Sequence, residues 1–234
     1  MKTKQPTGQP TGYIIHETTR AVVIATGFAR PSANPKTGPT IQIWSLVRNT
    51  HPVEAVKTGA DRAICGFCPL RPSKAGGCYV RKEQAPNQVW KAYKAGQYPQ
   101  LADRWHLFAG RVIRFGAYGE PTLLPVPTVA SIAAVSGHWL GYTHAWRKPS
   151  FQGYRRYLMA SCAGREESAE AQAAGWRTFA IIPEQEAATR SEILCPNEVN
   201  GTQCITCGLC SGATSRRRSV VIHPHGIHKA AVFQ

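Results

Sequence analysis

The sequence predicts an α/β fold, a partial or full β/α (TIM-like) barrel with an N-terminal β-hairpin and a C-terminal cysteine-bound metal cap. Three observations predict it. From Asp61 onward short apolar runs alternate with helical stretches, the pattern of βα units on a parallel sheet. Polar and metal-ligating side chains stand just past the ends of those runs, while Arg, Lys and Trp prevail at their beginnings. The carboxyl ends of parallel strands open on one face, so such residues converge there. Finally, seven of the eight cysteines fall into two groups, one early in the βα region and one near its end.

In chain order, residues 1–12, MKTKQPTGQPTG, read as a flexible arm, being polar, basic and rich in Pro and Gly. Residues 13–60 form the hairpin region. Two β-like runs, 21–29 and 40–47, flank the turn-rich PSANPKTGP and are expected to cover one end of the core. Residues 61–194 form the barrel core, with strands expected at 62–65, 111–115, 140–143, 157–160, 178–182 and 192–194. Helices are expected at 87–95, 127–135, 166–174 and 184–189, two of them stopped by Gly96 and Gly175. Residues 195–234 carry the second cysteine group and a last strand at 219–222. A chain of 234 residues is long enough to bury one full core.

Lys and Arg number 28 against 13 Asp and Glu, a formal charge of +15. That balance favours an anionic partner, nucleic acid or a nucleotide. Arg147 with Lys148, Arg155 with Arg156, and Arg216 to Arg218 have aromatic residues nearby, which suits phosphate contact and base stacking. The alternative for each is a solvated face. No run of about eighteen apolar residues is present, so no membrane span is expected. Clustered cysteines and the lack of a charged-then-apolar leader point to a reducing cytoplasm.

Cys65, Cys68 and Cys78 follow the pattern C-x2-C-x9-C. A pair separated by two residues lets both sulfurs face one ion from a single turn, and Pro69, Pro72, Gly76 and Gly77 suit a loop that returns the third. Zinc and iron both remain open. Three thiolates leave one coordination position, filled by a side chain in a structural zinc site and by an exogenous ligand in a catalytic cluster. Cys195, Cys204, Cys207 and Cys210, spaced C-x8-C-x2-C-x2-C, suffice for a closed zinc site or a complete cubane cluster.

Other candidates sit beside expected strand ends. Phe115 to Pro125, FGAYGEPTLLP, offers glycines that let backbone approach a ligand and Glu120, whose carboxylate can receive an ammonium. A turn carboxylate or an Arg partner is the plainer reading. His144, His223 and His225 could serve as ligand, proton relay or phosphate contact, or be hydrogen-bonded structural residues. Ser161 and Cys162 follow a strand without a nearby base, so they form no nucleophile pair.

A three-cysteine loop followed, one strand later, by Tyr118, Gly119, Glu120 and Pro121 resembles the radical S-adenosylmethionine enzymes. ICGFCP, GAYGEP, GYTHAW, LMAS, GWRTF and CGLC, across about residues 40–228, are similar to small bacteriophage proteins of radical-SAM-like type. Two departures stand out. The superfamily's usual spacing is C-x3-C-x2-C, and Tyr118 replaces the first Gly of its Gly-Gly-Glu-Pro loop.

The resemblance implies a [4Fe-4S] cluster on Cys65, Cys68 and Cys78, and S-adenosylmethionine near Tyr118, Gly119, Glu120 and Ser161. Glu120 and His144 are then the catalytic candidates, and the second cysteine group holds an auxiliary cluster or Zn2+. Reductive cleavage of the cofactor would yield a radical that takes hydrogen from a nucleotide or nucleic acid, inside an infected bacterial host. The competing readings are a zinc-stabilised nucleic-acid-binding or host-interaction protein, and a metal-dependent nuclease using the histidines.

Overall fold

The computed structural model describes residues 8–66, 68–71, 76–213 and 217–225. Residues 1–7 of the expected arm, Pro72, Arg216 and residues 226–234 lie outside the described residues. Among those described, nine strands form one mixed, mostly parallel sheet. β1 (Gly12–Glu17), β2 (Ala21–Thr26) and β3 (Ile41–Val47) are antiparallel neighbours. From β3 the sheet continues in parallel through β4 (Val112–Tyr118), β5 (His138–Thr143), β6 (Met159–Cys162) and β7 (Thr178–Ile181). β9 (Ser219–Ile222) follows, and β8 (Glu192–Leu194) lies outside it at the edge. No pairing joins β8 to β1, so the sheet is open among the described residues.

Alternation along these strands separates two faces. Ile41, Ile43, Ile113, Phe115, Ala160, Cys162, Ala180, Ile182 and Val221 enter one core cluster. Residues of α4 (Val126–Val135) and α5 (Arg165–Ala173) pack there, with Val129, Ile132 and Ala171 fully buried. Val129 and Ile132 each contribute about 1.5–3 kcal/mol by leaving water. Trp44, Tyr118, Leu140, Tyr142, Phe179, Val220 and Ile222 point the other way, towards a cavity. On that side α1 (Pro52–Thr58), α2 (Arg62–Cys65) and α3 (Ala85–Lys94) cover β1 to β4, burying Ala55, Ile64 and Val89.

Four expectations need correction. Residues 62–65 are the helix α2 and not a strand: Cys65 N–H donates to Asp61 O at 2.8 Å and Gly66 N–H to Arg62 O at 3.0 Å. A four-residue segment with three apolar residues is too short for its periodicity to separate helix from strand. The hairpin does not cap an end of the core, because β3 pairs in parallel with β4 and makes β1 to β3 part of the sheet. Residues 184–189 form no helix; Glu186 is drawn to Arg165 (2.7 Å), and its carbonyl accepts from His223 at 2.9 Å. The strand expected at 157–160 is β6, two residues later, which places Ser161 and Cys162 inside it.

Candidate metal and cofactor cavity

The cavity on the face of the sheet opposite α4 and α5 measures about 460 Å³. Cys65, Cys68, Cys78, Cys195, Cys204, Cys207 and Cys210 all line it, as do Tyr118, Gly119, Glu120, His144 and Ser161. Cys162 does not, since it lies within β6 on the same face as Ala160 and enters the opposite core. All eight cysteines are free thiols. Among the described residues no three His, Cys, Asp or Glu side chains are gathered closely enough to hold a metal ion. The two groups therefore border the cavity as neighbours, without a preformed ligand shell.

The first group sits on a clasped loop. Cys68 N–H donates to Cys65 O at 3.0 Å, closing the turn between the paired cysteines, and Cys78 N–H donates to Leu70 O at 2.8 Å, which returns the third thiol. Arg71 holds the loop from beneath, donating to both oxygens of Asp61 at 2.9 and 2.6 Å and to Gly59 O at 3.2 Å. Asp61 is 1 % exposed and Arg71 6 % exposed, so this is a buried pair whose charges must stay matched.

The Glu120 segment is fastened to that loop. β4 carries an irregularity opposite Gln42 and Trp44, where Gly116 has φ +73°, and it turns Tyr118 and the following residues into the cavity. Glu120 N–H donates to Ile64 O at 2.7 Å, and Ser45 Oγ donates to Glu120 O at 3.0 Å. Gly119 has φ +71°, and a Cβ there would lie 2.8 Å from Ser45 Cβ and 2.9 Å from Ser45 O. Its small size serves contact with β3 and α2.

The Glu120 carboxylate has no Arg partner among the described residues. It accepts from Thr143 Oγ1 at 2.6 Å and from His144 N–H at 2.9 Å. Burial pushes it up to about 7, against the downward pull of those bonds. Burial likewise lowers His144 to about 4, so its imidazole is neutral at neutral pH. The thiols follow the same rule. Burial first, then nearby negative groups, raises Cys65, and burial raises Cys68 to about 12 and Cys78 upward.

The second group runs from Cys195 through α6 (Pro196–Asn200) and α7 (Cys204–Cys207) to Cys210. Cys195 N–H donates to Val221 O at 2.9 Å, Cys204 N–H to Lys36 O at 3.0 Å, and Gly141 N–H to Cys210 O at 3.2 Å. Arg177, 7 % exposed, donates to the carbonyls of Leu209 (2.9 Å), Arg217 (2.9 Å), Arg218 (2.7 Å) and Ser211. One buried guanidinium thus pins the segment that follows Cys207. Burial raises Cys210 to about 12, opposed by a hydrogen bond from the Tyr142 hydroxyl. Burial also raises Cys204, while the adjacent Arg114 cation pulls it down.

His225 borders the main cavity, but His223 lies in a neighbouring depression. His223 Nδ1 is bound to Glu198 Oε1, and its Nε2 meets Glu186 O at 2.9 Å. Several basic segments are engaged within the protein. Arg147 pairs with Glu167 at 2.9 Å and Glu170 at 2.6 Å and stacks on Trp146, while Arg218 donates to Glu192 O at 3.1 Å. Sequence reasoning passed over Asp61, Arg71, Arg177 and Tyr142. Only Tyr142 carried a signal: alternation in GYTH puts it on the face of His144. No helix among the described residues is long and apolar enough to cross a membrane. Compared with described protein families, curated proteins and solved structures, the chain matches none.

Proposed function

We propose that the chain is a radical-SAM-like iron-sulfur enzyme acting on a nucleotide-like substrate, its parallel strands forming a partial barrel around the cavity. One observation carries this reading: Cys65, Cys68, Cys78 and Glu120 border one cavity, and a 2.7 Å bond from Glu120 N–H to Ile64 O joins the Glu120 segment to the helix bearing Cys65. The donor chemistry suits an iron-sulfur group, since three thiols of the first group border the cavity, and their side chains would have to draw together to hold it. When bound, that group would supply one-electron reduction of S-adenosylmethionine.

The residues divide the remaining tasks. Cys65, Cys68 and Cys78 would hold the cluster. Glu120, kept in place by Thr143 and the His144 amide, would receive the cofactor's ammonium, and the buried surroundings would exclude water. The tilted ring pair Tyr142 and Phe179, with centroids 4.3 Å apart, would take an aromatic base. Lys36, Arg81 and Arg114 line the cavity, and Glu120 is the only carboxylate among its described lining, which suits a phosphate-bearing ligand.

The test is anaerobic reconstitution with iron and sulfide, then reduction with S-adenosylmethionine present. The reading expects brown protein with absorption near ~400 nm, and methionine release that Cys65→Ala abolishes. Colourless protein that retains only zinc would refute it. The second cysteine group supports a zinc reading of its own, because Arg177 and three backbone bonds make it a fastened loop, as a structural metal cap requires.

A further inference from the structure

Tyr118 is 4 % exposed, and its hydroxyl is the one buried side-chain oxygen or nitrogen without a hydrogen-bond partner among the described residues. A buried tyrosine hydroxyl normally finds a partner, because leaving it unmet costs its lost hydration. The thiols of Cys65 and Cys78 and the Asp61–Arg71 pair are its electrostatic neighbours. Asp61 and Arg71 already satisfy one another through two hydrogen bonds.

We infer that the Tyr118 hydroxyl donates a hydrogen bond to a thiolate sulfur of the group held by Cys65, Cys68 and Cys78, and so acts as a positioning residue. The inference rests on the proposed reading of those cysteines as metal ligands. A thiol is a weak acceptor and a metal-bound thiolate a stronger one, so the hydroxyl is stranded without metal and satisfied with it. Such bonds orient the ligands and raise the reduction potential by stabilising the more negative, reduced state.

Tyr118→Phe separates this role from a merely structural one by the sign of its effects. In metal-free protein it is expected to leave Tm unchanged or raise it, because the stranded hydroxyl is gone. In reconstituted protein it is expected to weaken metal retention by the first group about tenfold, and to move the reduction potential to a more negative value. The second cysteine group serves as internal control.

A lower Tm of the metal-free variant would overturn the inference, as would metal retention and potential equal to wild type. Replacing Cys65, Cys68 and Cys78 together with Ala tells the two failures apart. If that variant keeps the full metal content of wild type, the reading of the cysteines falls and takes this inference with it. If it loses metal while Tyr118→Phe behaves as wild type, only the role of Tyr118 falls.

Discussion

Around Cys65, Cys68 and Cys78 the neighbouring charges include the carboxyl groups of Asp61 and Glu120, whereas around Cys204 and Cys210 stand the guanidiniums of Arg114 and Arg177. The clasps differ in the same sense. Arg71 is neutralised by Asp61, while Arg177 spends its donors on four neutral carbonyls. A four-thiolate shell around a divalent ion carries excess negative charge, which nearby cations offset. At the first group Lys82 near Cys78 and the Asp61-paired Arg71 near Cys68 stand against the carboxyl groups, and an unmet hydroxyl and a carboxyl raised to about 7 lie beside it. It is therefore the region whose electrostatics change most when a positively charged group enters.

The largest effect expected from breaking this contrast is at the first clasp. Asp61→Leu leaves Arg71 buried without its partner and should cost about 3–5 kcal/mol, seen in urea denaturation, with metal lost from the first group only. Adding Arg71→Met should recover much of that cost, because no unmatched charge is left. Glu120 comes next. Its folded-state value of about 7 exceeds the ordinary 4.5, so its contribution is fully present below pH 4.5 and is lost as pH rises through 7. The metal-free protein should lose on the order of 3 kcal/mol across that window, and Glu120→Gln should flatten the slope.

At the second clasp, Arg177→Met strands four carbonyls and should cost about 2–4 kcal/mol. Metal should then be lost from the second group while the first is spared. Tyr142→Phe is the mildest change. Removing its bond to Cys210 should cost about 1 kcal/mol, read as a small drop in Tm. Equal responses of both groups to all four changes would erase the distinction between them.

Much of the architecture was legible in local pattern. The parallel strands showed as short apolar runs, and most of their boundaries were found within two residues. The convergence of Glu120, His144 and Cys195 on one cavity follows from their placement after strands, which chain order displays, whereas the first cysteine group reaches it from the helix α2. What escaped was carried by contacts between distant positions. Asp61 and Arg71 are ten residues apart with no periodic relation, and Arg177 meets carbonyls more than thirty residues away. In sequence both arginines merely add to a basic total. α2 escaped because a four-residue segment satisfies helix and strand equally, and Cys162 because β6 runs two residues further than the apolar pattern, which puts Cys162 inside the strand on the face of Ala160.

The central claim is that the first cysteine group is a cluster site and not a zinc clip. Iron, zinc and acid-labile sulfide per chain, measured on anaerobically reconstituted protein and on the variant lacking Cys65, Cys68 and Cys78, test it most directly. The account predicts that this variant loses iron and sulfide together. Unchanged iron and sulfide, or zinc alone in both proteins, would contradict it.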